Sequence, residues 1–228
     1  MQNQLEYIYM SNFEIKQYIH RPNNTELGLG NTNDSYLLIP SDCPLQDEFL
    51  IDISKDIVFT DTQDGCDVIL RFLAFGKKSG EHRLTRFGDY KRKYDLRCGD
   101  EIRLEKIIKN DSDIFYSISC VKNRRCFMFS KRRGLYEVIN TDYVDDFRET
   151  PTHEINVYYN NKPSILTITF NKSSKKRSDS PNETDYYDVL INGKQLENLN
   201  NCILDLDTHI LSKINKWEYH ELKYSENE

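Results

Sequence analysis

Two polar segments of this chain carry side chains suited to specific hydrogen bonding. The first is RPNNTELGLGNTNDS, residues 21–35, and the second is EHRLTRFGDYKRK, residues 81–93. Asn amides and Arg guanidinium groups can bond in pairs to the edges of nucleobases, Asp can accept a bond from cytosine, and Lys acts as a point charge. A long polar loop and an exposed strand have the same composition, so residue types alone leave both interpretations open.

Charge is distributed unevenly along the chain. Residues 1–70 carry a net charge of −9, residues 71–133 a net charge of +10, and residues 134–228 a net charge of −7. A basic block between two acidic flanks is typical of a surface that binds a polyanion, although a solvated basic surface gives the same pattern. The second polar segment lies inside this basic block.

A few side chains of the C-terminal half could serve a metal-dependent nuclease. These are Asp185 and Asp188 with Lys194, together with Glu154 and Lys162. Their spacing does not give the compact pattern of an acidic pair and a lysine that holds magnesium and positions water. The five histidines are scattered, and the six cysteines form no CxxC pair. The sequence therefore predicts no catalytic residue and no metal site, and it leaves a Mg²⁺-dependent nuclease as an open alternative.

Strand-like runs position the two polar segments. They recur at intervals of about ten residues, which predicts an all-β barrel or sandwich. The predicted strands are YLLIP (36–40), DVILRFLA (67–74), EHRLTRF (81–87), DEIRLEKI (100–107) and IFYSISCV (114–121), with a hairpin loop at FGKKSG (75–80) and a short helix at 41–50.

The C-terminal half is predicted to form a separate, smaller α+β region. Residues 155–161 and 164–171 predict a hairpin, and residues 185–193 predict a strand. Residues 199–224 carry apolar side chains at spacings that favour a helix, namely Leu204, Ile210, Leu211, Ile214 and Trp217. The predicted division is residues 1–130 and residues 135–228, the second of unknown role.

Two motifs in this order carry a family resemblance. The first is TELGLGNTNDSYLLIP (25–40), which ends in a strand at Tyr36–Pro40. The second is EHRLTRFGDYKRKYDLRCGDEIRLEKI (81–107), in which Leu96, Gly99 and Asp100 form a turn before a strand. Together they resemble the DNA-binding pseudobarrel of plant B-three transcription factors and of restriction enzymes of the EcoRII N-terminal type. The resemblance covers roughly residues 10–125 and is closest to the restriction-system branch, including McrB-like LlaJI proteins.

The resemblance implies an open pseudobarrel of the seven-stranded type, mainly β with short helices. Two arms, Asn23–Ser35 and Arg83–Lys93, would enter the major groove of double-stranded DNA. Base edges are assigned to Asn31, Asn33, Asp34, Arg86 and Tyr90, and phosphates to Lys77, Lys78, Lys91 and Lys93. The full set of expected DNA-binding residues is Asn24, Asn31, Thr32, Asn33, Asp34, Lys77, Lys78, Arg83, Thr85, Arg86, Tyr90, Lys91, Arg92 and Lys93. The basic run at 122–133 would extend the phosphate track.

Three classes of function follow from these expectations. The first is the target-recognition part of a bacterial restriction system, which binds duplex DNA without a cofactor and relies on a nuclease or motor domain or subunit. The second is a small, complete, metal-dependent type II restriction endonuclease with its Mg²⁺ site in the C-terminal half. The third is a β-rich protein-interaction module. The N-terminus lacks a secretory signal and no apolar run approaches roughly 18 residues, so we expect a cytoplasmic protein without membrane contact.

Overall fold

Alternating apolar and polar residues fold this chain almost entirely into β-strands. The structure is a computed structural model that describes residues 13–23, 26–28, 35–40, 55–75, 81–109, 113–123, 125–132, 135–141, 150, 152–171, 186–195, 202–213 and 217–224. Within these residues the strands form two curled sheets of eight strands each. The prediction of a mainly β pseudobarrel fold with short helical structure is confirmed. The short helix predicted at 41–50 lies outside the described residues.

The first sheet contains the strands of the N-terminal half and the last strand of the chain. Its members are β1 (Phe13–His20), β2 (Leu37–Pro40), β3 (Asp56–Asp61), β4 (Asp67–Phe75), β5 (Glu81–Thr85), β6 (Glu101–Lys109), β7 (Asp113–Val121) and β16 (Trp217–Tyr224). Their order across the sheet is β16-β1-β6-β7-β3-β4-β5-β2. A short helix, α1 (Gly88–Lys93), lies between β5 and β6.

One face of this sheet forms a continuous core. Tyr18, Leu104 and Ile118 are directly opposite one another on three neighbouring strands, and all three are fully buried. Phe59 and Phe72 extend the same core on β3 and β4. Because side chains alternate between faces along a strand, the residues between these positions point outward.

The two edges of the first sheet curl towards each other. Trp217 on edge strand β16 donates its indole N–H to the backbone oxygen of Leu38 on edge strand β2, at 2.8 Å. This contact makes the sheet an open barrel rather than a flat layer. It has one strand more than the predicted seven-stranded type, because β16 returns from the C-terminus and pairs with β1 along all eight residues of β1.

The second sheet curls into a ring. It contains β8 (Arg125–Arg132), β9 (Leu135–Thr141), β10 (Thr152–Tyr159), β11 (Lys162–Phe170), β12 (Tyr187–Ile191), β13 (Lys194–Gln195), β14 (Cys202–Asp205) and β15 (Ile210–Lys213). Its order is β11-β10-β15-β14-β8-β9-β12-β13, and an additional pairing of β11 with β12 closes the ring. Met128 and Ile203 project from this sheet onto the core of the first.

The helix predicted within residues 199–224 is wrong. Leu204 and Leu211 lie on β14 and β15 and face each other across an antiparallel pair, with a turn between them. Trp217 belongs to a different sheet. The helix-like spacing therefore arises from two strands and a turn, and no helix occurs among the described residues of the C-terminal half. The domain division at 130–135 stays a prediction, although β8 lies in the second sheet and β16 in the first.

Residues that the structure describes include no helix long and apolar enough to cross a membrane.

Candidate nucleic-acid interface

A buried carboxylate anchors the beginning of the first polar segment. Glu26 Oε1 lies 2.8 Å from His20 Nε2 and accepts a 2.8 Å bond from the Leu38 amide. Its second oxygen accepts a 3.0 Å bond from the Asn23 amide. The Glu26 backbone then closes the loop, since its oxygen accepts a 2.9 Å bond from the Tyr36 amide. Both ends of the first polar segment are therefore fixed at one place on the sheet.

The same anchor connects to the edge contact of the pseudobarrel. The His20 ring stacks on Trp217, with ring centroids 4.4 Å apart and an interplanar angle of 16°. Trp217 is the residue that bonds Leu38, whose amide bonds Glu26. The position of the first polar segment thus depends on the closure of the sheet, because the two share one hydrogen-bonded cluster.

The second polar segment turns sharply at Arg86. This residue follows β5 and has φ +65°, in the left-handed region that non-glycine residues rarely adopt. Its side chain is exposed and pairs at 2.8 Å with Asp56, which also pairs with Arg71. The hydrogen bond from Arg71 and the charges of both arginines lower the pKa of Asp56, so the carboxylate is ionised at neutral pH. The turn directs the chain into α1.

A second buried carboxylate holds the end of α1. Asp61 Oδ2 accepts a 2.7 Å bond from Lys93 Nζ and a 2.5 Å bond from the Tyr94 hydroxyl. Lys93 also pairs with Asp64. The bonds from these two carboxylates, that of Asp61 above all, raise the pKa of Lys93 above its usual value, and the bond from Lys93 lowers the pKa of Asp64. The helix is thereby attached to the turn between β3 and β4.

The two polar segments come together at Leu27. Its backbone oxygen accepts a 3.2 Å bond from the Ser35 hydroxyl and a bond from Lys91 Nζ of α1. A second link runs from β5, where the Arg83 guanidinium lies 4.2 Å above the ring of Tyr36. We call this group of Leu27, Ser35, Tyr36, Arg83 and Lys91 the segment junction.

A groove runs beside α1 on the outside of the sheet. Its volume is about 720 Å³. Asp67, Val68 and Ile69 line it from β4, and Arg86, Gly88, Asp89, Tyr90, Arg92 and Lys93 line it from the helix side. The lining combines apolar, cationic and anionic groups, and Arg92 is exposed and paired with Asp89. Such a groove can accept a charged, hydrogen-bonding ligand such as a nucleic-acid strand.

Half of the expected DNA-binding residues lie outside the described residues. These are Asn24, Asn31, Thr32, Asn33 and Asp34 of the first arm, and Lys77 and Lys78 of the β4–β5 hairpin. Their roles stay predictions. The hairpin itself is confirmed, because β4 and β5 pair from Phe75 with Glu81 to Arg71 with Thr85.

The other expected residues lie together on β5 and α1, with different environments. Arg86 and Arg92 are exposed, whereas Arg83 and Lys91 are half-buried at the segment junction. The Thr85 hydroxyl bonds the backbone oxygen of Arg71 at 3.1 Å, which uses its donor within the sheet.

Two of these residues have environments that bear on their expected roles. Tyr90 is only 2% exposed and packs between Phe87 and Tyr94, so its side chain is part of the core and does not reach a base edge in this conformation. Burial also raises the pKa of the Tyr90 hydroxyl well above its usual range. Lys93 pairs with the carboxylates of Asp61 and Asp64, and its expected phosphate contact stays a prediction.

Sequence reasoning missed the carboxylates that organise the site. Glu26 was noticed only as a polar loop residue, and Asp61 and Asp56 carried no motif. No local pattern marks them, because their side-chain partners His20, Arg86 and Tyr94 are 6, 30 and 33 residues away in the chain. Asp100 was expected to be structural, and it is: its carboxylate accepts bonds from the amides of Arg97 and Asn123 and is fully buried.

The residues considered for a nuclease are distributed over the second sheet. Glu154 is on β10, Lys162 on β11, Asp188 on β12 and Lys194 on β13, while Asp185 lies outside the described residues. Asp188 accepts a 3.0 Å bond from the Asn171 amide group. Within the described ranges, no group of three or more His, Cys, Asp or Glu residues could hold a metal ion.

The left-handed turn at Arg86 gives a testable pair of variants. A non-glycine residue in this region costs about 1–2 kcal/mol, a strain that glycine avoids. The exposed pair with Asp56 contributes only about 0–1 kcal/mol. Arg86→Gly is therefore expected to match or exceed the parent in free energy of unfolding, whereas Arg86→Ala falls below it by up to about 1 kcal/mol. Urea denaturation of the three proteins measures this, and an alanine variant more stable than the glycine variant contradicts it.

Comparison with known proteins found similarity to solved structures only. No protein-family model matches the chain, and no curated protein matches it. Among solved structures, the chain is similar to the Arabidopsis FUS3–DNA complex, with 14% sequence identity and a TM-score of 0.37. The similarity covers 46% of this chain and 94% of that chain. A similarity at this level assigns neither a family nor a function.

Proposed function

We propose that this chain recognises double-stranded DNA through its two polar segments, as the target-recognition part of a bacterial restriction system. The observation that carries the proposal is the segment junction. Ser35 and Lys91 both bond the backbone oxygen of Leu27, so the two polar segments are joined there, although Leu27 and Lys91 are 64 residues apart in sequence. Two polar segments side by side can contact both the bases and the backbone of one duplex.

Charge near the segment junction is available for DNA. Arg86 and Arg92 are exposed, and each pairs with one exposed carboxylate, Asp56 or Asp89. Exposed ion pairs contribute about 0–1 kcal/mol, so a base edge can replace Asp56 at Arg86, and a phosphate can replace Asp89 at Arg92, at small cost. Lys91 is different, because burial lowers its pKa and its amine is engaged with Leu27. We therefore assign Arg86 and Arg92 to DNA contact and Lys91 to positioning.

The restriction-system role rests on the resemblance of the two motifs and on the basic centre of the sequence. In this role the chain binds a target site, and a nuclease or motor domain or subunit performs cleavage. Binding itself needs no cofactor. Base-edge contacts by Asn31, Asn33 and Asp34 belong to the same proposal, since Leu27 and Ser35 hold the two ends of their segment beside α1.

Selection of random duplex sites with the purified chain, followed by binding at two salt concentrations, tests the proposal. We expect one enriched site and a log–log salt slope of about −0.9 for each phosphate contacted. Magnesium-dependent cleavage by the chain alone would favour the complete endonuclease. Absence of retention on any duplex at low salt would favour a protein-interaction module and would reject the proposal.

The double variant Arg86→Ala, Asn33→Ala tests the assignment of the segments. We expect loss of the preference for the selected site over a scrambled duplex, because each bidentate base contact contributes about 1–3 kcal/mol of discrimination. Competition binding with both duplexes measures the ratio. A double variant that still distinguishes them contradicts the assignment.

Lys77→Ala is the matched control for that experiment. A lysine that contacts phosphate weakens binding to every duplex alike and reduces the salt slope by about one contact. Its effect on the ratio between selected and scrambled duplexes is expected to be nil.

A further inference from the structure

A row of exposed or half-buried apolar side chains crosses the outer face of the first sheet. Ile107 on β6 is opposite Phe115 on β7, and Val58 on β3 is opposite Ile69 on β4. Strands β3 and β7 are parallel, and Thr60 lies opposite Ser117. Val58 and Phe115, each two residues earlier, are therefore also aligned. These four residues, which we call the outer row, therefore follow one another across four adjacent strands.

The outer row does not belong to the core. The core residues Leu104, Ile118, Phe59 and Leu70 lie at alternate positions on the same strands and point to the other face. In the outer row, Phe115 is 56% exposed, Val58 49% and Ile69 47%. The solvent face of an antiparallel sheet is ordinarily polar, and a contiguous exposed apolar patch marks an interaction site.

Charged residues flank the outer row in a regular pattern. On β6, Glu105 and Lys109 lie two residues before and after Ile107. On β4, Asp67 and Arg71 lie two residues before and after Ile69. The pairings run antiparallel, parallel and antiparallel from β6 to β4, so these two strands point the same way. Glu105 and Asp67 therefore lie on one side of the row. Lys109 and Arg71 lie on the other side, each opposite an aspartate of the neighbouring strand, Asp113 or Asp56.

We propose that the outer row binds a second copy of this chain, and that a twofold axis along the row relates the two copies. Rotation about this axis exchanges the two flanks. Each Glu105 then meets Lys109 of the other copy, each Asp67 meets Arg71, and the apolar residues pack against their own equivalents. A twofold axis along the strands instead brings Glu105 against Asp67 and Lys109 against Arg71, which places like charges together.

The charge pattern thus selects one occupant and one orientation, because a surface that complements itself favours a closed pair. Side chains of the remaining flanking strands do not oppose this packing. Asp113 on β7 meets Ser117, and Asp56 on β3 meets Thr60, so each carboxylate faces a hydroxyl. Four half-exposed side chains provide less than the roughly 800 Å² per partner of a standard interface. We therefore expect a weak dimer, with a dissociation constant on the order of 10–100 μM. Asp67 and Ile69 also line the groove beside α1, so the dimer and a ligand in that groove would share part of one face.

Sedimentation velocity of the purified full chain over a wide range of concentrations tests the proposal. The parent is expected to pass from monomer to dimer, and Phe115→Ser to shift the dissociation constant upward at least tenfold. Tyr158→Ser is the matched control, because Tyr158 is an aromatic residue of similar exposure on the second sheet. It is expected to leave the equilibrium unchanged. A parent chain that remains monomeric up to about 500 μM overturns the proposal.

A charge exchange tests the orientation and does not depend on the fate of Phe115→Ser. Lys109→Glu is expected to weaken the dimer at least fivefold, and addition of Glu105→Lys is expected to restore it. Thermal melts of each variant report whether the fold is retained, since Glu105 also bonds Gln17 and Ser117 within its own chain. A folded double variant that dimerises no better than Lys109→Glu alone overturns the twofold axis along the row.

Discussion

Glu26→Ala is expected to lower the free energy of unfolding by about 3–5 kcal/mol, because it removes the acceptor of three buried or half-buried hydrogen bonds. The carboxylate is buried and serves His20, the Leu38 amide and the Asn23 amide at the same time. Alanine leaves these donors buried without an acceptor, at about 1–3 kcal/mol for each unsatisfied group. Urea denaturation of parent and variant measures the loss.

Loss of Glu26 is also expected to impair DNA binding under conditions in which the variant is still folded. The carboxylate joins the beginning of the first polar segment to β2, so its removal releases this segment from the segment junction. Glu26→Gln is the matched control: it keeps the length of the side chain but presents an N–H group to one of the three donors. We expect it to lose about 1–3 kcal/mol. A Glu26→Ala protein within about 0.5 kcal/mol of the parent contradicts the anchoring role.

The strands around the second polar segment could be predicted from sequence because their determinants are local. Period-two alternation and a glycine-containing hairpin loop define β4 and β5, and the turn at Gly99 and Asp100 defines the start of β6. Gly99 has φ +92°, which a glycine adopts without strain. Each of these signals lies within about ten residues of the element that it specifies.

The closure of the first sheet could not be predicted, because its determinants are far apart. Trp217 and Leu38 are 179 residues apart, and only the folded chain brings the indole to the edge of β2. The spacing of Leu204, Leu211 and Trp217 fits a helix when it is considered alone. In the fold these residues lie on three strands in two sheets, because cross-strand pairing outweighs the local preference.

The expected DNA contacts stay predictions, but the structure shows which of the assigned side chains are exposed and which are buried. Arg86 and Arg92 were assigned from residue type and are exposed where a ligand could reach them. Tyr90 was assigned to a base edge because the segment was treated as an extended arm. The segment contains a short helix, α1, and the helical period turns Tyr90 into the core. Residue type alone does not show which polar side chains are buried and hydrogen-bonded within the fold. For the same reason the sequence did not mark Asp61 as a structural residue.

Lys93→Met is expected to lower the free energy of unfolding by about 3 kcal/mol, and Asp61→Asn is expected to restore part of that loss. Asp61 is fully buried, and Lys93 is the cation that bonds it at 2.7 Å. Without Lys93 a buried carboxylate remains uncompensated, which costs about 3–5 kcal/mol at a fully buried pair. The lysine is about one-third exposed, so solvent screening reduces this figure. Replacing the carboxylate by an amide removes the charge. The amide oxygen still accepts the bond from the Gln63 backbone N–H, and the amide N–H group can donate to the Tyr94 hydroxyl oxygen.

The four proteins of this cycle separate the charge from the hydrogen bonds. Asp61→Asn alone leaves Lys93 free to pair with Asp64, so its loss is expected to be about 1–2 kcal/mol. The double variant is expected to be about 1 kcal/mol more stable than Lys93→Met, which gives a coupling energy of about 2–3 kcal/mol. Urea denaturation of all four proteins at neutral pH supplies the values. Losses that simply add would contradict the pairing, and they would leave α1 without the ionic contact that fixes the second polar segment beside the first.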